Sequence, residues 1–278
     1  MKLALILAPY DSGRYQEGCG KGPDAIITGG LVDELALYGH EAEVVEIDPV
    51  AQQDLREISG GFAVCRAVSE AIRAARQEGR FPVLLAGNCL TAAGAVAGEG
   101  ADAIVWFDQH GDVHTPETST SGFLDGMALA TVLGLCWHAM ARNIPGYEPI
   151  EPRHCMLVGA RDLDAAEKTM LEASPVLLAG CADLPEKVEK LKAAGAVQAH
   201  LHIDLDVHDA SLLQVSRYAA PGGPSPLEVQ QAVCALARSM PLTGLSFASY
   251  DPAFDAKGEV PPVVGRILVE FLAAMERI

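Results

Sequence analysis

Apolar positions along the chain follow two rhythms. Short, nearly unbroken apolar runs occupy 3–8, 42–47, 82–87, 103–108, 155–160, 175–179, 199–206 and 244–250. Runs of that length without polar alternation read as strands buried on both faces. Between them lie stretches whose apolar residues recur three and four apart, notably at 24–39, 62–78, 126–141, 184–194, 226–240 and 262–277. These predict helices. "SEAIRAARQEGR" shows the pattern well and stops at Gly79. Strands alternating with helical crossovers predict an α/β fold of three layers, a mostly parallel sheet with helices on both faces. No repeat, low-complexity tract or linker divides the chain, so a single domain over 1–278 is the simplest reading.

In such sheets ligands bind at the carboxyl ends of the strands, and there the polar residues collect. Asp108 closes one apolar run, with His110 and Asp112 following at steps of two; Asp204 and Asp206 close another; Asn88 and Cys89 follow a third. Alternate residues of a strand share a face, so each set can converge on one side. Carboxylates crowded in a dry site repel one another unless a cation is present. One imidazole among several carboxylates suits a fairly hard ion such as manganese, and shared carboxylates can bridge a pair. Two such ions would hold and acidify a water near neutral pH. Solvated loop acids beside one satisfied histidine would explain either cluster alone; both clusters at strand ends favour metal.

Composition narrows the partners. Half of the 278 residues are apolar, enough for a sizeable core without staples. The net charge of −17 repels phosphate backbones and excludes nucleic acid as a natural partner. The seven cysteines are scattered, with no CxxC pair, which fits a reducing cytoplasm. The N-terminal apolar run is too short for a signal peptide and reads as a first strand. "GMALATVLGLCWHAMA" is short for a membrane span and carries His138.

The motifs resemble those of the arginase (ureohydrolase) family. "FDQHGDVHTPETSTSG" (107–122) is similar to its Asp-x-His-x-Asp signature, and "HIDLDVHD" (202–209) to its second, Asp-x-Asp followed by an Asp. "GARDLD" (159–164) resembles its Gly-x-Arg-Asp-x-Asp segment, and "GKGPDAI" (20–26) its N-terminal Gly-Pro loop. The resemblance covers nearly the whole chain in family order. It implies a parallel eight-stranded sheet, usually two manganese ions, and hydrolysis of guanidino or amidino groups. By position it implies one metal held by Cys89, Asp108, Asp112 and Asp204, and the other by Asp108, His110, Asp204 and Asp206, with Asp108 and Asp204 bridging.

Four departures shape the functional expectation. Cys89, in "AGNC", stands where the family has a histidine ligand; a thiolate there is the expected donor, against the alternative of a small buried thiol opening a helix. Asp125 replaces the histidine proposed as proton shuttle, and would need a raised pKa to protonate a leaving amine; His114 is the other nearby candidate. Ser249 replaces the glutamate that pairs with a guanidinium in arginases. In the loop that receives the substrate's α-carboxylate, Ser119 and Ser121 match while Phe123 replaces Asn; Asp164 matches the α-amino partner. Arg161 and Asp162 are expected to orient their loop. His202, His208 and Asp209 are expected to support the ligands from behind or simply to pack. "APGGPSPLE" reads as a loop bordering the site.

Within the family these departures most resemble the branch acting on Nω-hydroxy-L-arginine in D-cycloserine biosynthesis, which implies hydroxyurea and L-ornithine as products. Arginase is the nearest alternative, then agmatinase or another ureohydrolase. A catalytically weak homologue that binds an arginine-like ligand is the alternative of another class. The small-molecule partner is thus an amino acid, with no membrane partner. The chain stops with its last helix, without the longer tail through which many arginases associate, so a monomer is expected.

Overall fold

The computed structural model describes residues 1–50 and 56–276. Eight strands form one sheet: β1 Lys2–Ala8, β2 Glu41–Glu46, β3 Phe81–Ala86, β4 Ala103–Phe107, β5 Cys155–Val158, β6 Leu177–Ala179, β7 Ala199–Asp204 and β8 Leu242–Ala248. Their spatial order is β2-β1-β3-β8-β7-β4-β5-β6, and every pairing between them is parallel. The only antiparallel ladder among the described residues is a two-residue hairpin, Tyr10–Asp11 with Arg14–Tyr15, outside the sheet.

Side-chain alternation builds the layers. Leu3, Leu5, Leu7, Val83, Leu85, Val105, Leu201 and Phe247 point to one face. There they meet α1 (Gly22–Thr28), α2 (Leu31–Leu37), α8 (Leu184–Ala193), α9 (Pro226–Ser239) and α10 (Val260–Met275). Ala4, Ile6, Leu84, Ile104, Trp106 and Leu157 point the other way, onto α3 (Glu57–Gln77), α4 (Ala92–Glu99) and α5 (Ala128–Val132). Both faces of the central strands are dry, so these carry no polar alternation, whereas the edge strand β2 exposes Glu41, Glu43 and Glu46.

Several predicted elements break or shift. The stretch 24–39 is two helices, because Gly30 turns left-handed between them (φ 97°). The stretch 126–141 yields only α5 and a four-residue α6 (His138–Ala141), interrupted where Gly134 and Trp137 take positive φ. α10 starts earlier than predicted, and Arg277 of that prediction lies outside the described residues. Two helices lacked a sequence signal. α4 is small residues buried all round, so it has no polar face to set a period. α7 (Ala165–Glu172) is short and mostly polar. No helix among the described residues is long and apolar enough to cross a membrane.

Candidate metal centre and cleft

The strand order explains how distant residues meet. β3, β8, β7 and β4 are consecutive neighbours at the centre of the sheet. Beyond or at their carboxyl ends stand Cys89, Ser249, Asp204 and Asp108, in that spatial order.

The strands end sooner than the sequence pattern predicts. β4 stops at Phe107, and Asp112 sits beyond it in the left-handed region (φ 52°). β7 stops at Asp204, and Asp206 lies in a short 3-10 turn that begins when the Asp204 side chain accepts the Asp206 N–H at 2.8 Å. Convergence therefore comes from turns rather than from strand alternation. Carboxylates beside the chain's own N–H groups bend it back on itself: the His110 N–H likewise donates to Asp108 Oδ1 at 2.7 Å.

Three sets of ligand-type atoms cluster within 4.8 Å among the described residues: Cys89–Asp108–Asp204 and Asp108–His110–Asp206, which share Asp108, and a separate, more exposed His114–Asp164–Glu167. Asp112 belongs to none of these sets but lines the same cleft. Asp204 Oδ2 accepts from the Cys89 thiol at 2.8 Å and from the Ser249 hydroxyl at 2.6 Å. His110 Nδ1 lies 3.3 Å from both Asp108 Oδ1 and Asp206 Oδ2. Trp106 Nε1 donates to the other Asp108 oxygen at 2.9 Å. Asp108, Asp112, Asp204 and Asp206 are all buried.

Burial without a counter-charge leaves its mark on the titrating groups. It pushes the carboxyls of Asp204, Asp112 and Asp206 above their ordinary range, with repulsion from Asp108 adding to each. Burial works against a charged His110, yet its contacts with Asp108 and Asp206 prevail and hold its proton far above the ordinary histidine value. Burial and Asp204 push the Cys89 thiol well up. The buried Asp206 Oδ1 has no hydrogen-bond partner. An orphaned carboxylate oxygen within a set of carboxylate, imidazole and thiol donors fits a divalent cation, which would neutralise the repulsion and release these protons.

A cleft of about 200 Å³ opens above the cluster. It is lined by His110, Asp112, Asp204, Asp206 and Ser249, and by the predicted residues His114, Ser119, Ser121 and Asp125. Asp125 is partly buried in the cleft wall, and that burial raises its carboxyl to about 8 although the Leu90 N–H, donating at 2.9 Å, favours the anion. His114 Nε2 lies 3.1 Å from Asp164 Oδ2, and its Nδ1 3.2 Å from Thr118 Oγ1. Ser119 and Ser121 accept main-chain N–H bonds from Gly122 and Phe123, so the loop braces its own hydroxyls. Asp164 is the N-cap of α7, receiving the Ala166 and Glu167 N–H groups.

Arg161 donates to the main-chain carbonyls of Gly159, Val207, His208 and Ala220, tying three loops together without entering the cleft. His208 Nδ1 meets Leu205 O at 2.8 Å, and burial lowers its pKa to about 4. Asp209 accepts N–H bonds from Ser211 and Gly222, ordering the loop that leads into "APGGPSPLE". His202 stacks on Trp106, ring centroids 3.9 Å apart, and reaches Ser246 Oγ at 2.7 Å.

Sequence reasoning missed Glu167 and Tyr218 among the lining residues, and the buried Gln109 inside the first motif. Glu167 had a readable signal: an acid three residues after Asp164 forms a capping box. Tyr218 had none, because only the fold brings its loop to the cleft.

Residues 1–273 match the sequence model of the arginase family. The arginase of Bacillus caldovelox is 28% identical over 283 residues, covering 94% of each chain. Its native crystal structure superposes with a TM-score of 0.86 at 26% identity over 97% of each chain. The fold also matches Entamoeba histolytica arginase in complex with L-ornithine, at a TM-score of 0.82 and 21% identity, covering 100% of this chain and 98% of that one. A family match over nearly the whole chain, with two ligand sets joined at Asp108 above the centre of an eight-stranded parallel sheet, makes the protein a member of the arginase family.

Proposed function

We propose that the chain is a manganese-dependent amidinohydrolase that converts Nω-hydroxy-L-arginine and water to hydroxyurea and L-ornithine. The observation that carries this reading is Ser249. It lines the cleft in a left-handed conformation (φ 67°) and gives its hydroxyl to the ligand Asp204, offering an incoming cationic guanidinium no carboxylate of its own. Arginine's guanidinium is permanently charged and needs such a partner when buried. An N-hydroxyl withdraws electron density and makes the neutral guanidine accessible near neutral pH, so the partner becomes dispensable.

Cys89, Asp108, Asp112 and Asp204 would hold one ion and Asp108, His110, Asp204 and Asp206 the other. When bound, the pair supplies Lewis-acid charge that activates water and polarises the guanidino carbon. Ser119, Ser121 and Asp164 receive the amino-acid head group. The bond between the guanidino carbon and the side-chain nitrogen breaks, and the departing amine takes a proton from Asp125 or His114, both in the cleft wall. A cytoplasmic, monomeric enzyme completes the proposal.

Steady-state kinetics of the manganese-loaded protein on Nω-hydroxy-L-arginine, arginine and agmatine, at several pH values, test it. The expected order of kcat/KM is hydroxyarginine far above arginine, with agmatine last. Equal or greater kcat/KM for arginine makes the protein an arginase. Binding of these compounds without release of urea or hydroxyurea makes it a ligand-binding homologue.

A further inference from the structure

Gln109 lies between the ligands Asp108 and His110, is fully buried, and belongs to neither ligand set. Its amide nitrogen lies 3.3 Å from His110 Nε2, and the amide reaches on to a loop far along the chain. Gln109 Nε2 donates to Tyr218 O at 2.6 Å, while Oε1 accepts from Ala220 N at 2.9 Å and from the Arg161 guanidinium at 3.1 Å. The main chain that carries Tyr218 is thus clipped to the ligand motif by a fully buried side chain hydrogen-bonded at both ends of its amide.

The Tyr218 ring faces Phe123 across the cleft mouth, centroids 5.8 Å apart and planes inclined by 32°. Phe123 belongs to the loop that presents Ser119 and Ser121. Both rings line the cleft, and both also line a second cavity of about 190 Å³ on the far side. That cavity is strongly polar, walled by Asp11, Arg14, Glu57, Arg217 and Asp251. Two aromatic rings therefore divide two cavities whose walls otherwise attract charged groups.

We propose that Phe123 and Tyr218, the latter positioned by Gln109, are specificity-determining residues that end the substrate cleft. The wall admits a guanidino compound with a compact amino-acid head group and rejects one extended at its carboxyl end. This rests on the amidinohydrolase reading for its substrate class. The rings give the substrate's methylenes an apolar surface and bar its head group from the polar cavity beyond. Removing a ring joins the two cavities, and the guanidinium and carboxylate groups of the second then suit the amide and terminal carboxylate of a peptide extension.

The test compares Nω-hydroxy-L-arginine with its dipeptide, in which glycine is amide-linked to the carboxyl group, by kcat/KM. Calorimetric binding of L-ornithine and ornithylglycine gives the same comparison without turnover. Wild type is expected to disfavour the extended compound by about a hundredfold or more, and Phe123→Ala to reduce that ratio by about tenfold or more. Gln109→Ala and Gln109→Glu, which cannot donate to Tyr218 O, are expected to move the ratio the same way and to raise KM more than they lower kcat, with metal content unchanged. A ratio that stays put in Phe123→Ala, or a wild type that takes both compounds equally, overturns the proposal. Discrimination in binding without hydrolysis of either substrate overturns the amidinohydrolase reading and leaves the wall standing. Hydrolysis of hydroxyarginine with an unmoved ratio does the reverse.

Discussion

Asp204 and Asp108 tie the site together: one oxygen of Asp204 caps the Asp206 turn while the other collects the Cys89 thiol and the Ser249 hydroxyl, and Asp108 belongs to both ligand sets. Asp204→Ala and Asp108→Ala are expected to abolish activity and to lower bound metal, checked by elemental analysis; full metal content in both would refute the ligand assignment. Cys89→Ser should weaken one ion much more than the other, seen as two separated transitions in a metal titration, and Cys89→His should recover binding with a changed rate. Asp112 invites a different experiment. Its carboxyl is disfavoured by burial and by Asp108 and Asp125, and its φ of 52° is one that asparagine also tolerates. Asp112→Asn is therefore expected to stabilise the metal-free protein at about pH 8, raising Tm by roughly 2–4 °C, the shift about 1 kcal/mol produces in a chain of this size, while activity is lost. A lower Tm in calorimetry would show that the charge is better compensated than its surroundings indicate. The candidate ligands stood out in the sequence because carboxylates and histidine at the ends of apolar runs are unusual. Gln109 was not, since an amide inside a metal motif gives no sign of what it binds.

Helix ends and strand ends place these residues. α7 and α9 both open with a capping box, Asp164 with Glu167 and Ser225 with Glu228. Each cap contributes about 1 kcal/mol, but only the first faces the cleft, through His114. Ser225→Ala is expected to lower stability by about that amount with kcat/KM unchanged. Asp164→Ala should combine a similar loss with a higher KM, measured by denaturant melts and kinetics on the same preparations. At the far end of α4, Glu99 is buried against His200, both carboxylate oxygens 3.0 Å from Nδ1, and accepts Thr243 Oγ1 at 2.7 Å. Gly244 leaves the room, since a Cβ there would collide with the Glu99 carboxylate. The imidazole continues through Ser246 to His202, a polar column inside an otherwise apolar layer. Glu99→Ala, which removes the carboxylate partner of His200 Nδ1 and Thr243 Oγ1, is expected to destabilise by about 1–3 kcal/mol. Long amphipathic helices such as α3 were readable from their period. α4 and α7 were not, because one is buried on every side and the other is little more than two turns.

Across the molecule, proton and metal compete for one buried cluster. A carboxyl whose pKa is higher folded than unfolded binds its proton more tightly in the folded state. Its contribution is full below the ordinary carboxylate range and is lost as pH rises through the folded value. Asp112, Asp204 and Asp206 are raised, and Asp125 moves from 3.8 to about 8. The metal-free protein should therefore lose this stabilisation as pH rises above the ordinary carboxylate range, the Asp125 share between 3.8 and about 8. Bound metal removes the penalty, so the Tm gap between loaded and chelator-treated protein is expected to widen with pH over that range. Buried neutral His202 and His208 titrate alike in both forms and cancel from the gap. A constant gap in calorimetry would mean that the cluster is already charged without metal.

The chain by itself determined its layers and the residues of its candidate metal site. Unbroken apolar runs force the central strands into a sheet covered on both sides, and two acidic motifs at their ends point to a metal site. Tertiary structure decided what sequence periodicity cannot carry. The order β3-β8-β7-β4 puts Cys89, Ser249, Asp204 and Asp108 side by side although they are scattered over more than half the chain. Turns closed by aspartate side chains, rather than strand alternation, aim Asp206 and His110 inward. The loop carrying Tyr218 reaches the cleft only because Gln109 and Arg161 hold it there. Periodicity reports which face of an element is buried; which elements become neighbours depends on packing and hydrogen bonds between residues far apart in the chain.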